Sequence, residues 1–332
     1  MVVKHHSTKK VGNSLHTIPH NRYIIKKIIL FFIIFVNRIF CYKIRVAKLL
    51  ALWYNDLGKN LLIKRDIMNL LFSAPNKEEA CGLFTVPHLV GLLVCAILIT
   101  LAVIFTRKIS DKGLTIVTRV MAVMFTVMEI IKIVFKFVNN DATQLDHWFP
   151  LAFCSLFIYV LWFCGFGKGF IYDLGASFIA GGCFIGGSAF LIMPLTSLQY
   201  HPIYHFLSLH SMLFHSCMVY MAIMYVMKGK FKVNTENYKY YLTITGFACV
   251  VSVGLNLITD ALPMTVTSNV MLLRHLPLPD TFNQFVYNLV GNISAPFSYY
   301  TVITTLVYTV LPYFAVMGVC KLISKIKGNK KS

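Results

Sequence analysis

The side chains able to do chemistry in this chain are a thiol, two imidazoles, two carboxylates and an amide, each in or at the end of an apolar run. Cys154 lies in HWFPLAFCSLFIYVLWF, residues 147–163; Glu129, His210 and His215 lie in two further runs, and Asn256 and Asp260 close another. A thiol becomes a nucleophile once a base removes its proton, so a cysteine and a histidine at similar membrane depth are worth weighing together. The same residues have plainer uses. A free cysteine packs as a small apolar side chain, either histidine alone can donate to a neighbouring helix carbonyl, and Glu129 with Lys132 three residues on can be a neutralising pair. The two histidines are five apart, a rotation of about 140° at about 100° per residue, so both do not easily face one partner. Arg119, close to the start of its run, can snorkel to the interface.

The elements that must position these groups follow from composition. A chain of 332 residues with 57% hydrophobic and 13% charged residues and a mean hydropathy of +0.70 cannot hide its apolar surface in one water-soluble core. A membrane helix needs about 20 apolar residues to cross about 30 Å of hydrocarbon. Seven runs meet that length, at roughly 88–105, 114–137, 149–166, 174–193, 205–227, 241–259 and 297–320. They are continuous rather than alternating, and helices satisfy their own backbone in lipid, so the expected fold is all-α: a polytopic bundle of seven transmembrane helices.

Lysines and arginines follow the odd-numbered runs: Arg107, Lys108 and Lys112, then Lys168, then Lys228, Lys230, Lys232 and Lys239, then the C-terminal lysines from Lys321 onward. The other short loops are nearly free of basic residues. The positive-inside rule then puts the C-terminus in the cytoplasm and the start of the first span outside. Residues 1–67 conflict with that topology, since they carry 13 Lys and Arg against 2 Asp and Glu, and their one apolar stretch, Ile29–Val36, is too short to span. The expected division is therefore a basic extension, 1–67, and a membrane domain, 68–332, with translation starting at Met68 or, as the alternative, the extension forming a basic membrane-surface helix.

The excess positive charge is a topological signal, and no basic stripe interleaved with aromatics suggests nucleic acid. The nine cysteines show no zinc or C-x-x-C spacing, and no phosphate-binding, dinucleotide or nucleophile-elbow motif occurs, so neither a metal nor a cofactor is expected. Gly182 and Gly186 form a G-x-x-x-G, read as a close helix-packing site. With the topology above, Glu129 lies about 12 Å, Cys154 and His210 about 8 Å, and His215 about 15 Å below the outer ends of their helices at about 1.5 Å per residue. Polar groups from four helices thus converge on the outer half of the membrane, where intramembrane polar residues usually face the bundle interior.

Short patterns add a resemblance. VPHLVGLL at 86–93, MEIIK at 128–132, FPLAFCS at 149–155, FHSCMVYMAIMYVMKGKFK at 214–232 and TSNVMLLRHLP at 267–277 resemble segments of the YwaF-type bacterial membrane proteins, a family related to transmembrane protein 164 of animals. The resemblance places Cys154 on the family's cysteine, His215 rather than His210 on its histidine, and Glu129 on its glutamate; the shared depth of the polar groups makes Glu129, His210 and Asn256 the possible supporting residues. It implies a lipid acyltransferase: an acyl chain passes from a phospholipid to the Cys154 thiol as a thioester, with His215 taking the proton, and then to a lysophospholipid. The sequence departs from the family pattern at Ala152, where the family has a histidine two positions before the cysteine. The alternative readings are a small-molecule binder or transporter using Glu129, His210 and Asp260, and a non-catalytic membrane scaffold. The expected partners are membrane phospholipids, and the expected location is a bacterial cell membrane.

Overall fold

The computed structural model describes residues 71–72, 80–138, 148–194, 197–261, 268–274 and 299–329. The extension 1–67, the Met68 start and His147 lie outside them. Among the described residues the fold is all-helical, with no strand. The helices are α1 Val86–Thr106, α2 Asp111–Val138, α3 Leu156–Phe166, α4 Phe170–Gly181, α5 Cys183–Ile192, α6 Phe206–Met227, α7 Tyr238–Ala261 and α8 Tyr299–Asn329, with one 3-10 turn at Val270–Leu272.

Five helices, α1, α2, α6, α7 and α8, are long and apolar enough to cross a membrane, and α4 with α5 makes a sixth if that pair, bent by 41°, is one span. Every apolar run contains helix, but the run at 149–166 differs from the expectation of one continuous span: helix begins only at Leu156 and lasts 11 residues. Pro150 offers no N–H and pushes the residue before it away from helical angles, and the Leu151 N–H turns back onto the Phe149 carbonyl at 2.8 Å. At the other end of α3, the Arg119 Nε donates to the Gly165 carbonyl at 2.6 Å while its guanidinium sits 5.0 Å over the Phe166 ring. Arg119 therefore closes α3 rather than only reaching for the interface.

The break between α4 and α5 falls at a glycine pair. A Cβ on Gly181 would stand 2.4 Å from the Tyr313 ring, and one on Gly182 would stand 3.0 Å from the Tyr241 ring. Two tyrosines thus occupy the space where side chains would continue the helix. Both rings are anchored. Pro312, inside α8, leaves the Tyr308 carbonyl without its helical donor, and the Tyr241 hydroxyl supplies one at 2.8 Å.

The centre of the bundle is α4 and α6. Residues Leu174–Gly181 of α4 are buried without interruption, and α6 packs against α1, α2, α4 and α5. Most of the α1 surface remains exposed and apolar, as expected of a face turned to lipid. The loops following α1 and α6 meet at one end, where the Lys228 ammonium donates to the Ile109 carbonyl at 2.6 Å and Lys230 pairs with Asp111 at 3.0 Å.

His88 fastens another pair of helices. It is fully buried; its Nδ1 accepts from the Phe84 N–H at 3.0 Å and its Nε2 lies 3.0 Å from the Leu191 carbonyl, which fixes Nε2 as the protonated atom. His88→Ala removes both contacts, leaves the carbonyl of buried Leu191 without this donor, and is expected to cost about 1–3 kcal/mol. A thermal midpoint in detergent equal to that of the wild type would show that this staple carries no stability.

Candidate functional site

Cys154 sits in the irregular turn just ahead of α3, half-buried, with its carbonyl accepting from the Phe157 N–H at 3.0 Å. The turn is held from both sides. Phe153 is buried and stacks on Tyr308 of α8 (4.9 Å, 13°) and against Phe178 of α4 (5.1 Å), while Phe157 meets Phe214 of α6 edge-on at 5.5 Å. Ala152, at the position where the resembled family has a histidine, is exposed.

His215 lies in the middle of α6, 6% exposed. Its Nδ1 is 2.7 Å from the Ser211 carbonyl, which can only accept, so Nδ1 carries the proton and the neutral ring presents a lone pair at Nε2. That Nε2 is buried and has no hydrogen-bond partner. The ring is clamped flat on Phe190 (3.6 Å, 5°) and edge-on to Phe214 at 5.3 Å, so its orientation is set by packing.

Consecutive glycines of α5 bring the cysteine segment and the histidine helix towards each other. A Cβ on Gly186 would stand 2.9 Å from the Phe153 ring, and a Cβ on Gly187 would stand 2.8 Å from the His215 carbonyl oxygen. The expected pair for close packing was Gly182 and Gly186; the contact with a neighbouring backbone is made by Gly187. Gly187→Ala is expected to push α5 from α6 and cost about 1–3 kcal/mol by overpacking, whereas Gly246→Ala, which meets open space, is not. Equal thermal midpoints for the two variants would remove the argument for this close approach.

Glu129 is buried and ion-paired to Lys132 at 2.7 Å. His210 is 4% exposed, lies between Phe206 and Phe214, and its Nε2 is without a partner. Asn256 belongs elsewhere: it is 1% exposed and bonds Val270 rather than the histidines. The side chain of Asp260 lies outside the described residues. No hydrogen bond joins Cys154 to His215, since the Nε2 of His215 is unbonded.

Two residues not singled out in the sequence also bear on the site: Tyr308, which stacks on Phe153, and Gly187, which meets the His215 carbonyl. Only the glycine doublets, 181–182 and 186–187, gave a usable signal for them. Among the described residues no three His, Cys, Asp or Glu side chains are grouped to hold a metal ion.

Apolar helices long enough to span a bilayer, with ionisable side chains turned into their interior, define a multi-pass integral membrane protein. The TMEM164 family model matches residues 83–317, and the chain belongs to the TMEM164 family. No curated protein and no solved structure matches it.

Proposed function

We propose that this protein is a phospholipid acyltransferase of the cell membrane, of the YwaF bacterial type, working through Cys154 and His215. The observation that carries the reading is the unpartnered Nε2 of His215: buried, held in one tautomer by Ser211, and clamped between the Phe190 and Phe214 rings. A buried acceptor without a donor is costly unless something donates to it during the working cycle.

In the proposed reaction the Nε2 of His215 takes the Cys154 proton and the thiolate attacks a phospholipid ester carbonyl. The lysophospholipid leaves as its alkoxide and takes that proton from the imidazolium, leaving a thioester on Cys154. A glycerol hydroxyl of an acceptor lysophospholipid then gives its proton to Nε2 and attacks the thioester, and the departing thiolate is reprotonated. The proton transfers require the thiol and Nε2 to come within about 3 Å, a tightening expected only with lipid bound.

The proposed topology is seven crossings with the start of the first outside and the C-terminus cytoplasmic. The third crossing is completed by the irregular 148–155 segment, and backbone of that kind is tolerated at membrane depth where protein covers it. The basic loops that meet after α1 and α6 then lie on the cytoplasmic side. The test is acyl transfer in lipid nanodiscs between labelled phosphatidylcholine and a lysophospholipid, read by mass spectrometry of products and of Cys154. Transfer with a hydroxylamine-labile acyl adduct on Cys154 is the expected result. Neither transfer nor adduct across several donor lipids, with folded protein, would move the function to small-molecule binding or transport through Glu129, His210 and Asp260.

A further inference from the structure

We propose that Asn256 is a positioning residue for Cys154, gripping both polar groups of Val270 so that the 268–274 segment holds the turn on which the thiol sits. The catalytic consequence rests on the acyltransfer reading; the mechanical link rests on contacts alone.

The grip is a two-point one. The Asn256 Oδ1 accepts from the Val270 N–H at 2.9 Å and its Nδ2 donates to the Val270 carbonyl at 3.4 Å, the pairing that a neighbouring strand would offer. The segment it grips has a few turn bonds of its own, from the Leu272 N–H to the Asn269 carbonyl and from the Arg274 N–H to the Asn269 side chain, but little regular structure. Only Val270–Leu272 has any regular structure, and Met271 and Leu272 adopt left-handed backbone, with φ of 58° and 54°. Residues with side chains stay in that region only when their surroundings over-determine it.

Those surroundings come from two helices. From α7 come Asn256 and the Thr259 hydroxyl, which bonds Ser268; from α8, the Tyr300 hydroxyl donates to the Leu272 carbonyl at 3.1 Å and Thr301 to that of Leu273 at 3.0 Å. The held segment then supports the cysteine turn. Val270, 1% exposed, packs with Leu151, three residues before Cys154, and Trp148, Phe149 and Leu255 cover the pair. On the opposite side Phe153 stacks on Tyr308, which belongs to the same helix as Tyr300. The turn is thus braced between α8 directly and α7 through Val270, and Asn256 is the α7 attachment.

The test uses the full chain in nanodiscs and follows alkylation by N-ethylmaleimide, peptide by peptide, with Cys95 on α1 and Cys217 on α6 as internal references. In Asn256→Ala the Cys154 rate is expected to change by at least about fivefold, while both references stay within about twofold. The kcat for acyl transfer is expected to fall about 10²-fold with KM within about threefold, the signature of a misplaced reacting group. Leu151→Ala, at the far end of the same contact, should shift Cys154 in the same direction, and the double variant should be no worse than the stronger single one. Asn256→Asp keeps the acceptor for the Val270 N–H and loses the amide donor; it should give an intermediate change, and it decides the matter if the alanine variant does not fold. Cys154 alkylation within about twofold of wild type, or effects of Asn256 and Leu151 that simply multiply, would overturn the proposal. A shifted alkylation rate in a protein with no acyl transfer would keep the brace and remove the reaction.

Discussion

A Cys154→Ala protein transfers no acyl chain, at a rate at least about 10³-fold below wild type, while folding normally: this is the largest effect expected of any single substitution. The thiol is the atom to which the acyl group is attached in the proposed reaction, so nothing else in the turn can replace it. Its removal should be structurally mild. Cys154 is only half-buried, so alanine gives up little beyond the contacts of one sulfur atom, about 1 kcal/mol. A thermal midpoint close to wild type with abolished transfer would assign the loss to chemistry. Transfer remaining within about threefold of wild type would take the nucleophile role from Cys154.

His215→Phe should come next, with transfer reduced about 10²–10⁴-fold, the usual contribution of a positioned general base. Phenylalanine is the informative replacement because it keeps a flat ring to lie on Phe190 and meet Phe214, and it removes both ring nitrogens. The loss of the Ser211 contact is shared by any replacement. His210→Phe is the matched control: same helix, similar burial, and an Nε2 equally without a partner. It should retain transfer within about tenfold of wild type. The opposite ranking, with His210→Phe the more damaging, would exchange the two roles and fit the similar depths that helical rise gives Cys154 and His210.

Much of this architecture was legible from the residues in order. The apolar runs that became α1, α2, α6, α7 and α8 are long enough to span, and the burial of Glu129, His210, His215 and Asn256 follows from the cost of leaving such groups in lipid. The family followed from short patterns around His88, Glu129, Cys154, His215 and Asn269. The unwound stretch ahead of α3 was not anticipated, although Pro150 marks it, because 149–166 is apolar throughout and hydropathy does not distinguish helix from irregular backbone covered by protein. The bend at Gly182 likewise depends on Tyr241 and Tyr313, which lie more than fifty residues further along.

What the sequence determined by itself was what each segment needs locally: enough apolar length to replace water with lipid, backbone groups satisfied within the helix, and basic residues gathered in particular loops. Those requirements are met residue by residue, whichever helices become neighbours. Which groups meet is another matter. That His215 keeps a free Nε2 because Ser211 holds Nδ1, that Gly187 rather than Gly182 touches the facing backbone, and that Asn256 serves Val270 instead of a histidine were decided only by tertiary packing. Such contacts depend on side-chain shapes meeting across the bundle, and one position along a helix, about 100° of rotation, is enough to replace one partner with another.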